Sequence, residues 1–115
     1  HKKVNQVNYP GLVSSKSHAR GKQFLCGFGG MLSFIIEGGI KTADAFISKL
    51  DIPISTASLG GVESLITRPV QTSHSLLSDE ELELAGIDKS LIRMSVGIES
   101  ANDLIDDISQ ALDSI

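Results

Sequence analysis

The chain predicts an α+β fold, a small and mostly antiparallel sheet covered by helices, on three observations. From Leu91 to Ile98 the residues Ile92, Met94, Val96 and Ile98 alternate with Arg93, Ser95 and Gly97. That is the period of a strand with its first set on a core and its second set facing away. Beyond Ser100, the residues Leu104, Ile105, Ile108, Leu112 and Ile115 recur at helical spacing on one stripe, the mark of an amphipathic helix laid on a core. Strand-like segments are few while the helical ones are amphipathic, and a sheet covered on one face by helices is the economical packing for that mixture.

Taken in order, residues 1–17 are rich in Asn, Ser, Gly and Pro, with a turn signal at Tyr9-Pro10-Gly11-Leu12. This stretch reads as a linker rather than as the start of an independent domain, which leaves 18–115 as the domain proper. Ser17 is placed to cap a short helix reaching about Leu25. Met31 to Ile36 is an apolar run with glycines on both sides, a buried strand. Thr42 is the expected cap of a helix with Ala43, Phe46, Ile47 and Leu50 inward, and Pro53 closes it. Ile54 to Leu59 reads as a second, more polar strand broken by Gly60 and Gly61, and Val62 to Ile66 as either a third strand or a first helical turn. Ser78 with Glu81 forms a capping-box pattern that opens a short helix ended by Gly86. Asp106, Asp107 and Asp113 fall largely off the apolar stripe of the last helix and read as a solvated face. The expected order is helix, strand, helix, strand, an element of undecided type, helix, strand, helix.

Composition narrows the function classes. At 115 residues, 41% hydrophobic and 21% charged, the chain can bury a core in the manner of an ordinary globular domain. It has no Trp, one Tyr and four Phe, so the core must be mainly aliphatic. A net charge of −4 argues against a nucleic-acid surface, which needs clustered Lys and Arg. The basic residues Lys2, Lys3, Lys16, Arg20 and Lys22 are spread out and read as solvated. A single cysteine, Cys26, excludes an internal disulfide and fits a reducing compartment, the cytoplasm. Between Leu25 and Gly27 it reads as a buried, inert thiol. The apolar run Phe24–Ile36 is shorter than the ~20 residues of a membrane helix, and no signal-peptide pattern opens the chain.

Most local signatures of chemistry are missing. Gly27-x-Gly29-Gly30 lacks the third glycine of a dinucleotide loop and precedes a strand rather than a helix. No Gly-Lys-Ser/Thr loop occurs, His1, His18 and His74 stand apart without metal-ligand spacing, and Ser64 is not in a nucleophile elbow. Arg93 stands out, in the middle of a well-patterned strand. A solvated strand arginine is one reading. The other is a carboxylate clamp, since a planar, permanently charged fork on a strand can hold an amino-acid carboxylate in a fixed orientation.

Several motifs in series are more specific than any one of them. Tyr9-Pro10-Gly11-Leu12, Ser17-His18 and Gly27-Phe28-Gly29-Gly30-Met31-Leu32-Ser33-Phe34 come first. Ser58-Leu59-Gly60-Gly61-Val62-Glu63-Ser64-Leu65-Ile66, Pro69 and Thr72-Ser73-His74 follow. Gly86-Ile87, then Leu91-Ile92-Arg93-Met94-Ser95-Val96-Gly97-Ile98-Glu99, and Asp103-Leu104-Ile105 complete the series. In this order they resemble, over essentially the whole chain, the C-terminal domain of the trans-sulfuration (cysteine and methionine metabolism) enzymes that use pyridoxal phosphate.

The resemblance implies the C-terminal domain of the aspartate-aminotransferase-like class, fold type I, whose cofactor sits on a separate large domain. Arg93 then matches the arginine that takes the substrate α-carboxylate. Ser58 and Leu59 match a segment reaching toward the cofactor lysine and the substrate backbone, and Glu63 matches a position with a structural role. The Schiff-base lysine belongs upstream and no lysine here matches its setting, so no catalytic or cofactor-binding residue is expected within this chain. Pyridoxal phosphate is expected in the longer parent, a homotetramer built from dimers that share active sites and acting on a sulfur amino acid. The fragment alone is expected to be inactive. Many relatives acting on cystathionine carry a glutamate just before the motif serine, whereas this chain has Ala57. A free-standing amino-acid-binding module using Arg93, or an oligomerisation domain without a ligand, are the rival readings.

Overall fold

The computed structural model describes residues 1–115. Five strands, β1 (Val4–Asn8), β2 (Met31–Ile36), β3 (Ile54–Ser55), β4 (Leu65–Thr67) and β5 (Ile92–Ser95), form one sheet in the order β1-β2-β5-β4-β3. Three of the four junctions are antiparallel and β3–β4 is parallel. Four helices accompany it: α1 (His18–Phe24), α2 (Gly39–Ile47), α3 (Asp79–Leu84) and α4 (Ala101–Asp113). The core joins Phe34 and Ile36 of β2, Ile66 of β4 and Ile92 and Met94 of β5 to Ala43 and Phe46 of α2 and Leu104, Ala111 and Leu112 of α4. The expected small, mostly antiparallel sheet is present with one parallel junction, and α2 and α4 cover one of its faces. No helix is long and apolar enough to cross a membrane.

Several elements differ from expectation for local reasons. The segment read as a linker contains β1, an edge strand absent from the predicted order. A bulge between Val4 and Gln6 shifts the register so that Val4 faces Ile36 and Val7 faces Phe34. Both valines thus lie on the core side although three positions apart, and the alternation that reveals a strand is broken. Ser17 precedes α1 as expected, but its side chain makes no capping bond, because its backbone is already helical. Thr42 does not cap α2: Gly38, in the left-handed region at φ 100°, precedes the first turn, and an added Cβ there would run into the Thr42 hydroxyl. The predicted strand from Ile54 to Leu59 is only β3, after which an exposed loop returns to β4. The element left undecided resolves into β4, buried throughout. The capping box at Ser78 and Glu81 forms as expected. On β5 the pattern holds for Ile92 and Met94, but Ser95 is buried beneath the loop and Ile98, beyond the strand, is 81% exposed. Cys26 is exposed, because α1 has no buried residue and carries the thiol away from the core. Asp107 is buried rather than solvated.

Candidate functional site

Opposite the helix-covered face, register sets a polar row across the sheet. Asn8 of β1 pairs with Ser33 of β2, Ser33 with Arg93 of β5, and Arg93 with Thr67 of β4. The Asn8 side-chain amide donates to Ser33 Oγ at 3.1 Å. Because Ile92 and Met94 belong to the core, Arg93 between them must project to this far face. A cavity of about 220 Å³ lies beside it, lined by Asn8, Met31, Leu32, Ser33 and Arg93.

The guanidinium is held but not saturated. Its Nη2 donates to the carbonyl oxygens of Ala57 and Ser58, at 3.1 and 3.0 Å. Nε and Nη1 have no protein partner, which leaves donors of a planar fork free for an anion. Arg68 is the contrast. It is 5% exposed, gives Nε and Nη2 to the two carboxylate oxygens of Asp44 at 2.7 and 3.0 Å, and gives Nη1 to the Lys89 carbonyl. A fork so filled is a structural tie between α2 and the end of β4.

The three residues singled out in the sequence are brought together unequally. Ser58 meets Arg93 through its carbonyl. Leu59 follows on the same loop and is 57% exposed, and no hydrogen bond joins it to Arg93. The loop is fastened to the C-terminal part of β5 by residues that sequence reasoning did not assign. Gly60 N–H donates to Ser95 Oγ at 3.0 Å and Ile98 N–H to the Val62 carbonyl at 2.9 Å. Glu99 receives Ser64 N–H at 2.6 Å and the Ser64 hydroxyl at 2.8 Å. The Ser64 backbone amide, then the rest of this hydrogen bonding outweighing partial desolvation, holds the Glu99 carboxyl below its usual range. Asn8 and Ser33 were missed because only strand register brings them to Arg93. For Glu99 a signal existed, an acid just after the Arg93 strand, but its partner lies 35 positions away.

No lysine lines the cavity beside Arg93. Lys3 Nζ is engaged by the carbonyls of Leu112, Asp113 and Ile115, and Lys89 pairs with Asp79. The free donors of the Arg93 fork suit a carboxylate.

This architecture recurs in solved enzymes. The cystathionine gamma synthase of Xanthomonas oryzae pv. oryzae, in complex with cystathionine, superposes with a TM-score of 0.94 at 43% identity, over 98% of this chain and 29% of that one. In sequence, a cystathionine gamma-lyase of Dictyostelium discoideum is 46% identical over 113 residues, 98% of this chain and 29% of the relative. An L-methionine gamma-lyase of Fusobacterium nucleatum subsp. polymorphum is 38% identical over 115 residues, all of this chain and 29% of the relative. The fold is thus that of a part of pyridoxal-phosphate enzymes of sulfur amino acids. Residues 1–113 match the family described as Cys/Met metabolism PLP-dependent enzyme, and the chain belongs to that family. It spans about three tenths of the length of these relatives.

Proposed function

We propose that this chain is the C-terminal, substrate-carboxylate-binding domain of a pyridoxal-phosphate trans-sulfuration enzyme, a C–S lyase or synthase. Its substrate is a sulfur amino acid or precursor: cystathionine, methionine or an activated homoserine. Arg93 receives the α-carboxylate on its free edge, with Ser58 and Leu59 bordering the same space. A large domain outside this chain holds the cofactor and the Schiff-base lysine, in a parent that is a homotetramer built from dimers and works in the cytoplasm. By anchoring the carboxylate on a strand, this chain fixes the orientation in which the rest of the substrate meets the cofactor. Ala57, small and uncharged, offers no grip on a distal ammonium group, which leaves room for methionine gamma-lyase, sulfhydrylase or beta-lyase chemistry.

The observation that carries this reading is the half-used fork: Arg93 is aimed by two carbonyls while Nε and Nη1 remain free. A self-contained amino-acid sensor would need an acid for the ligand's ammonium group, and Glu99, the acid that follows this strand, is occupied by Ser64.

The test is Arg93→Lys in the full-length enzyme. Lysine keeps the charge but loses the planar fork, and a charge-assisted hydrogen bond is worth ~1.5–3 kcal/mol. A fall in kcat/KM of roughly 10- to 100-fold, mostly through KM, is expected in steady-state assays. An unchanged kcat/KM would overturn the assignment.

A further inference from the structure

The loop that meets Arg93 has little of its own to hold it. Residues 56–63 are exposed, and Gly60 takes the left-handed φ of 73°. Fixed points come from the stretch just beyond Arg93. Ser64, which ends the loop, is fully buried. Its N–H and hydroxyl both point into the Glu99 carboxylate, while its hydroxyl oxygen accepts the Gly97 N–H at 2.9 Å. One hydroxyl thus bridges an acid and a backbone amide from the same turn. The two segments touch here: a Cβ on Gly97 would fall on the Val62 carbonyl and lie 2.6 Å from Glu99 Oε2. On its other side Ser64 is tied to β3, where Ile54 N–H donates to the Ser64 carbonyl at 2.8 Å.

We propose that Glu99, acting through Ser64, is a positioning residue for the carboxylate site, and this rests on the role proposed for Arg93. The pair sets where the loop presents the Ala57 and Ser58 carbonyls, and those carbonyls decide which edge of the Arg93 fork is used up and which stays free. Glu99 touches neither Arg93 nor the cavity beside it. Its effect passes along the backbone from Ser64 to Ser58. Ionised Glu99 accepts the two Ser64 hydrogen atoms on its two oxygens, which a neutral amide in the same place cannot do, because one of its ends is a donor.

A double-mutant cycle in the full-length, cofactor-loaded enzyme tests this. Glu99→Gln is expected to raise KM for the amino-acid substrate ~10-fold, with a smaller change in kcat, since a displaced anchor misplaces the substrate. In an Arg93→Lys background the same substitution is expected to add less than ~2-fold, because the fork it aims is gone. Ser64→Ala, which keeps the backbone bond to Glu99 but removes the bridging hydroxyl, is the second variant should Glu99→Gln not fold, and is expected to show the same non-additivity. Full additivity with Arg93→Lys, or an unchanged KM in both variants, would overturn the positioning role. A KM unmoved by Arg93→Lys alone would instead remove the carboxylate assignment on which the role rests.

Discussion

Asp107 lies on a helix whose neighbouring acids are exposed, yet only 7% of its surface is accessible. Its carboxylate receives the backbone N–H groups of Asp51 and Ile52 at 3.0–3.2 Å and the Gln110 side-chain amide at 2.9 Å. It therefore ties α4 to the turn that follows α2. Burial pushes its pKa up, but the bonds from Ile52, Asp51 and Gln110 outweigh that, and the carboxyl sits below its ordinary value. A carboxylate with a depressed folded-state pKa contributes stability that is present above the unfolded pKa of ~3.9 and is lost as pH falls through the folded value. Asp107→Ala leaves two backbone donors without their acceptor and is expected to cost ~2–3 kcal/mol at pH ~7 by urea unfolding. The difference from the unsubstituted chain is expected to shrink well below pH ~4, and a difference independent of pH would show that the charge is not what matters. Nothing in the sequence marks Asp107 apart from Asp106, since its backbone partners lie 55 and 56 positions away. Arg93 was legible because a charge in an alternating strand is conspicuous by itself.

Elements with an unbroken period were legible, and those shaped by register or packing were not. The α4 stripe at Leu104, Ile108, Leu112 and Ile115 and the alternation at Ile92 and Met94 survive in the fold because each follows one backbone geometry, whereas Ile105, predicted on the same stripe, is 60% exposed. β1 hid behind its bulge, and β3 was overread because a two-residue strand is continued in sequence by residues that leave the sheet. The placement of α2 depends on a tie that no pattern announces, the Arg68–Asp44 pair. Arg68 has a side chain 6% exposed while that of Asp44 is 46% exposed. Truncating the acid would strand a buried guanidinium, which in full burial costs ~3–5 kcal/mol. With Asp44 half in water, Asp44→Ala is expected to cost ~1–3 kcal/mol in urea unfolding. Loss would be felt as a loosened contact between α2 and the end of β4, so hydrogen exchange in residues 39–47 is expected to speed up more than in α4. Equal acceleration in both helices would mean that the pair serves global stability only.

At the scale of the whole molecule, the sheet has one face closed by helices and another that carries Arg93 on a strand with donors to spare. A face built that way offers the free donors of a planar, charged fork to an anion. The family to which the chain belongs uses pyridoxal phosphate, while Lys3 is committed to carbonyls at the end of α4 and Lys89 to Asp79. Lysine forms an imine readily only where a pocket desolvates it or neighbouring charge lowers its pKa, and the cavity at Arg93 offers no lysine. Titrating the 115-residue chain with pyridoxal phosphate is therefore expected to give no saturable imine absorbance. Borohydride reduction followed by peptide mapping is expected to find only scattered, substoichiometric labelling of exposed lysines. Stoichiometric trapping on one lysine would mean that the chain builds a cofactor site of its own. The division of labour between this domain and a separate cofactor domain would then be wrong, even if Arg93 still held the carboxylate.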